Sequence, residues 1–111
     1  GIFVHEDLIE NNPDLIRRFL RATREIIEAY YDDPERAAAA LVAEKPELTM
    51  DIAMSSAAEF YARVNSPNCP DSELLYNCPE DWQITIDVLK NYRGMEEDIS
   101  LDRAFTNEFL D

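Results

Sequence analysis

A mainly α-helical fold, with four to five helices and one short N-terminal strand, is predicted by three features of this sequence. The first is the scarcity of glycine. Gly1 and Gly94 are the two glycines in 111 residues, against an average usage of about 7%, and few glycines mean few positive-φ turns of the kind that hairpins need. The second is a repeated helix-opening device: a capping residue or a proline stands at Asn12-Pro13, Asp33-Pro34, Thr49 and Pro79. The third is that apolar residues recur at three-to-four spacing behind each of these openings. Apolar residues make up 46% of the chain, a globular composition, and the length suits one unit spanning residues 1–111.

The elements follow in order. "GIFVH" is β-branched and aromatic and predicts a strand of about four residues, alone in the sequence. Asn12 is a good N-cap, Pro13 suits the first helical position, and Asp14 meets the positive end of the dipole. Leu15, Ile16, Phe19, Leu20, Ile26, Ile27 and Tyr30 predict one apolar side for a helix ending near Tyr31. Asp33-Pro34 opens a second helix, "ERAAAALVAEK", whose four alanines suit close packing on a neighbour. Thr49 caps a third, with Ile52, Ala53, Ala57, Phe60, Tyr61 and Val64 as its stripe. "NSPNCPDSELLYNCP" is a loop, dense in Pro, Asn, Asp and Ser. Pro79 opens a fourth helix carrying Trp82, Ile86 and Leu89, and Gly94 stops it. "MEEDISLDRAFTNEFLD" is a tail with one or two short turns.

Composition excludes several functions. The net charge is −14, and so acidic a surface repels phosphate backbones, so no nucleic-acid partner is expected. Arg17, Arg18, Arg21 and Arg24 cluster on one helix. They are interleaved with Glu25 and Glu28, and i, i+4 pairing of Arg21–Glu25 and Arg24–Glu28 describes a solvated face; an anion or partner patch is the alternative. No apolar run approaches the roughly 18 residues of a membrane span. One histidine and two cysteines cannot assemble a Cys/His zinc set. Cys69 and Cys78 flank the irregular loop; in an oxidising compartment they would bond, and in a reducing one they would be two thiols.

No constellation announces chemistry. His5 and Glu6 sit together at a strand end with no nucleophile beside them. Glu96, Glu97, Asp98 and Asp102 lack the alternating spacing of a calcium loop. Ser55-Ser56 has no glycine elbow. Tyr61 and Trp82 suit a helical core better than a ligand face. No phosphate loop or dinucleotide fingerprint is present. No catalytic residue, cofactor or metal is therefore expected, and no ligand-binding residue is assigned.

The order of the pieces carries more. "GIFVHEDLIENNPDLIRRFLRATREIIEAYYDDPERAAAAL", then "PEDWQITIDVLKNYRG", then "FTNEFL" resembles the C-terminal part of the nitrate/sulfonate/taurine/thiamine-precursor family of ABC-transporter solute-binding proteins. In that family a strand leads into a short acidic helix, followed by an Asn-Pro-opened helix, an alanine-rich helix, a later Trp-containing helix and a "TNeF" ending. The loop holding Cys69 and Cys78 departs from the pattern.

The resemblance implies a fragment of a two-lobed α/β periplasmic-binding-protein fold of type 2, its helices backing the first lobe and its strand joining a sheet built elsewhere. It implies transport rather than catalysis: not an enzyme, but the part of an ABC importer that binds a small solute and passes it to the permease. It implies a periplasmic or extracellular address, free or lipid-anchored, and at that address a Cys69–Cys78 disulfide. A chain lacking its second lobe should bind no solute by itself and should self-associate, with Phe3, Leu8, Phe19, Ile27 and Trp82 as the apolar set left uncovered. The alternative is a helical ligand-sensing or dimerisation domain of a regulator.

Overall fold

The computed structural model describes residues 1–110. Six helices run in order: α1 (Glu6–Asn11), α2 (Pro13–Asp32), α3 (Pro34–Glu44), α4 (Met50–Tyr61), α5 (Pro79–Arg93) and α6 (Leu101–Ala104). The mainly helical class and the four main helices stand where the caps and prolines put them. The strand does not form: among the described residues Gly1 to His5 is unpaired chain. Its β-branched residues favour extended backbone, and His5 is extended at φ −71°, ψ 145°. A strand also needs a neighbour to bond to, and none runs beside this one.

The helix starts are held locally. Asp33 closes α2 through its N–H to Ala29 O (3.1 Å) and opens α3 by accepting the Arg36 N–H at Oδ1 (3.0 Å). Thr49 Oγ1 accepts the Ile52 N–H at 3.3 Å. Asn12 works differently from expectation. Its side chain makes no capping bond; its backbone serves both helices, donating to Leu8 O (3.0 Å) and accepting from Leu15 N (3.1 Å). At the far end of α5, Gly94 takes the left-handed conformation (φ 69°, ψ 27°) that a side chain would oppose, and the Met95 N–H returns to Leu89 O at 3.2 Å. In the tail, Lys90 pairs with Asp98 and holds that carboxyl below its ordinary range.

Packing is strongest between α3 and α4, weaker between α2 and α3 and between α1 and α2. The buried residues of the α3–α4 pair are all alanines: Ala38, Ala53 and Ala57. Small side chains let two backbones approach, which is what the run of four alanines foretold. The apolar side of α2 splits in two. Ile16 and Ile27 are buried, while Leu15, Phe19 and Ile26 are 48%, 56% and 67% exposed. Adjacent residues lie about 100° apart around a helix, so a broad apolar side serves one neighbour and leaves a second stripe uncovered. Of the apolar set expected outside, Phe3 is 94% exposed and Phe19 is open, but Ile27 is in the core.

Helix α5 touches α6 and makes no direct packing with α1–α4. Two irregular segments join the halves. The loop between α4 and α5 sends Glu73 to α2, where its Oε2 accepts from Arg24 Nη2 at 2.6 Å. The segment after α6 sends Phe109, 5% exposed, onto the same helix under the Arg17 guanidinium, 5.3 Å from the ring centroid. That segment is itself fixed by Asn107. Its Oδ1 accepts the Asn77 N–H (2.8 Å) and its Nδ2 donates to Asn77 O (3.0 Å). Asn77 Oδ1 in turn accepts from Trp82 Nε1 (3.2 Å), and the Trp82 ring stacks on Phe105, with centroids 5.5 Å apart. The shape is open: the radius of gyration is 16.9 Å, against about 13 Å for a close-packed domain of this length.

Two substitutions test this architecture. Ala38 has no exposed surface, whereas Ala39 faces solvent; Ala38→Leu should cost about 1–3 kcal/mol by overpacking the α3–α4 contact, and Ala39→Leu should be near neutral, both read as shifts in the urea midpoint. Asn107→Ala should cost about 1–3 kcal/mol by stranding the Asn77 backbone groups. Because Trp82 is the single tryptophan, its emission should move to the red in the same variant.

Candidate functional site

The side chains with chemical character fall in two groups, the arginines of α2 with the last segment, and the loop with the start of α5. Arg17, Arg21 and Arg24 follow one another at four and three residues and so share a face of α2. With Leu20, Phe109 and Leu110 they line a cavity of about 70 Å³. These arginines hold structure: Arg17 lies over Phe109 and 3.5 Å from Asp14 Oδ1, and Arg24 bonds Glu73. Arg18 turns away, over a shallow groove with Leu15, Phe19, Ala22 and Glu25. The basic cluster is therefore more than a solvated face. It docks the last segment and the loop, and the Arg24–Glu73 pair spans 49 residues, beyond the reach of i, i+4 reasoning.

Within the loop, Cys69 and Cys78 are joined, with Cα atoms 5.9 Å apart. Cys78 is buried at the N-cap of α5. Glu80, in the first turn of that helix, brings its Oε2 to 3.1 Å from Cys78 Sγ and 3.6 Å from Cys69 Sγ. Next to it, Asp81 Oδ1 accepts from Asn68 Nδ2 at 2.7 Å; hydrogen bonds from Ser66 and Asn68 hold the Asp81 carboxyl below its ordinary value. The loop turns between Glu73 and Tyr76, closed by the Tyr76 N–H to Glu73 O at 3.3 Å. Leu75 sits there at φ 71°, in the left-handed region that a leucine seldom adopts.

The other sequence candidates are structural. His5 is the N-cap of α1: Nδ1 accepts the Asp7 N–H at 3.2 Å. Tyr61 packs on Tyr30 and Tyr31, with centroids 5.2 and 4.2 Å away; burial, together with those neighbouring phenols, pushes its own phenol up. Trp82 belongs to the Asn77 junction, and Ser55 and Ser56 stand exposed on α4. Glu96 to Asp102 forms no convergent carboxylate set; among the described residues the constellation with metal-ligand atoms within 4.8 Å of one another is Cys69, Cys78 and Glu80. Sequence reasoning missed Glu80 and Asn107, because neither follows a periodic or spaced pattern. No helix among the described residues is long and apolar enough to cross a membrane.

Comparison with known proteins bears on this arrangement. A family model described as NMT1/THI5 like matches residues 1–37. The 4-amino-5-hydroxymethyl-2-methylpyrimidine phosphate synthase of Legionella pneumophila subsp. pneumophila is 26% identical over 109 residues, covering 97% of this chain and 32% of that protein. The Saccharomyces cerevisiae synthases of the same name, THI5 and THI11, are each 26% identical over 106 residues, covering 96% of this chain and 28% of theirs. The chain thus spans about a third of the length of these curated relatives. No solved structure matches. These names correct one expectation: relatives that run along almost the whole chain are synthases, so the inference that it has no part in an enzyme does not stand. It failed because the resemblance was read as implying transport alone, whereas these relatives are named as synthases. The likeness does stand: residues 1–37 match the NMT1/THI5-like model, and similarity to the synthases at 26% identity runs along nearly the whole chain.

Proposed function

We propose that this chain serves as scaffold in a protein that forms or handles a 4-amino-5-hydroxymethyl-2-methylpyrimidine phosphate, the product named in its relatives. The observation that carries this reading is the alignment of those synthases along 96–97% of the chain. The geometry fits a supporting part. At the α2 cavity Arg17 and Arg24 hold Phe109, Asp14 and Glu73, and the exposed stripe of Leu15, Phe19 and Ile26 lies along one side of the longest helix. In this reading the stripe and Gly1–His5 rest on the sheet of a two-lobed α/β fold, with the helices backing its first lobe. The pyrimidine is held by groups outside this chain.

A second reading, an extracytoplasmic solute-binding component that delivers such a pyrimidine to an ABC permease, is favoured by one feature: the Cys69–Cys78 bond, which persists in oxidising compartments and is rare in the cytosol.

The two are separated by following the melting temperature of the full-length gene product with the free pyrimidine and with its phosphate ester. A ligand that binds only the folded state stabilises it by about 2.7 kcal/mol at a hundredfold excess over Kd. Preference for the phosphate ester supports the synthase, preference for the free pyrimidine supports the carrier, and no shift with either overturns both. The uncovered stripe also predicts that the 111-residue chain alone associates: sedimentation equilibrium should give a mass rising with concentration above 12.8 kDa, and Phe19→Asp should lower it.

A further inference from the structure

The contact between Glu80 and the two cysteines is not explained by the disulfide. A bonded sulfur carries no hydrogen, so the carboxylate oxygen at 3.1 and 3.6 Å receives no hydrogen bond from either. Among the described residues no other donor serves Glu80 Oε2. Two sulfurs and a carboxylate oxygen thus stand together with no hydrogen bond between them, close to the arrangement of a metal ligand set.

The distances support that description. In a tetrahedral zinc site, with Zn–S about 2.3 Å and Zn–O about 2.1 Å, a sulfur and an oxygen ligand lie about 3.6 Å apart. Cys69 Sγ is at that separation from Glu80 Oε2, and Cys78 Sγ, at 3.1 Å, is about 0.5 Å nearer. Only the two sulfurs are too close together, and they are so because they are bonded to each other.

The loop is also held without that bond. On the Cys69 side, Asn68 is tied to Asp81, and the Cys69 N–H returns to Ser66 O at 3.1 Å. On the Cys78 side, Asn77 is clamped by Asn107 and Trp82. Reduction therefore frees the sulfurs to part without dispersing them.

We propose that Cys69, Cys78 and Glu80 form a site for a thiophilic divalent cation, one that opens when the disulfide is reduced and closes when it is oxidised. In the opening step a dithiol reductant passes two electrons and two protons to the cystine: the Sγ–Sγ bond breaks, two thiols form, and the reductant becomes its own disulfide. The cation then displaces both thiol protons to solvent, binds two thiolates and the Glu80 carboxylate, and takes water in the fourth position. Two thiolates and one carboxylate, with a position left open, suit zinc or cobalt better than calcium or magnesium.

Cobalt is the probe. The intact chain is reduced with dithiothreitol, freed of it under nitrogen, and titrated with Co²⁺ while thiolate-to-cobalt charge-transfer absorption is followed. The reduced protein should give a saturable one-to-one signal that Zn²⁺ abolishes, and the oxidised protein should give none. Glu80→Gln should bind at least about tenfold more weakly. Cys69→Ser, at the half-buried cysteine, should lose the signal of a two-thiolate site while circular dichroism confirms that its helices remain. A reduced protein with no one-to-one signal, or a Glu80→Gln variant that titrates like the parent, overturns the proposal.

Discussion

The pairing of Asn77 with Asn107 is what the rest of this structure depends on. Helix α5 packs on none of α1–α4, so the molecule has no continuous helical core to hold its two ends in register. Asn107 fixes the last segment to the loop before α5 through three contacts, and that anchoring delivers Phe109 to its buried place against α2. One asparagine has the donor and acceptor to satisfy a backbone N–H and a backbone C=O together. Trp82 completes the arrangement by giving its N–H to Asn77 while its ring covers Phe105. Polar satisfaction takes here the place that apolar contact has in the α3–α4 pair.

That division explains which parts of the fold were legible in the sequence. Helix ends are local: Pro13, Asp33, Pro34, Thr49 and Pro79 each mark a start within a turn and Gly94 marks a stop, because capping and φ restriction act over a few residues. The alanine run disclosed its partner's closeness for the same reason: its meaning lies in side-chain size, not in who the partner is. What joins the halves was not legible. Arg24–Glu73 and Asn77–Asn107 lie 49 and 30 residues apart, and neither leaves a period or a spacing behind. Gly1 to Val4 shows the converse. Its residues have strand character, but a strand is a property of two chains side by side.

The candidate site divides along the same line. The cysteines announced themselves by type, and their loop by its prolines and short polar residues. Glu80 did not, since an acidic residue after a helix-opening proline is ordinary first-turn chemistry. Its position relative to Cys69 is set by the fold of the loop, including the left-handed Leu75 that turns Glu73 to Tyr76 back on itself. A leucine holds that conformation only when its surroundings over-determine it. The disulfide, the Asn68–Asp81 bond and the Asn77 clamp are the surroundings that do so here.

The arginines of α2 show how one residue type can be misjudged from charge alone. Counted by sign, they are a minority on a strongly acidic chain, and solvation looks sufficient. In the structure Arg17 spreads its guanidinium over an aromatic ring and Arg24 grips a carboxylate from a distant loop. A planar, delocalised and weakly hydrated cation does both at low desolvation cost, and a lysine would do neither as well. The acidity of the chain is what makes this effective: with carboxylates plentiful and cations few, each arginine at the junction selects a partner rather than lacking one. The halves are thus joined by arginines of α2, with Phe109 seated beneath one of them, and the cavity they line around Phe109 and Leu110 is the space left where those joints meet.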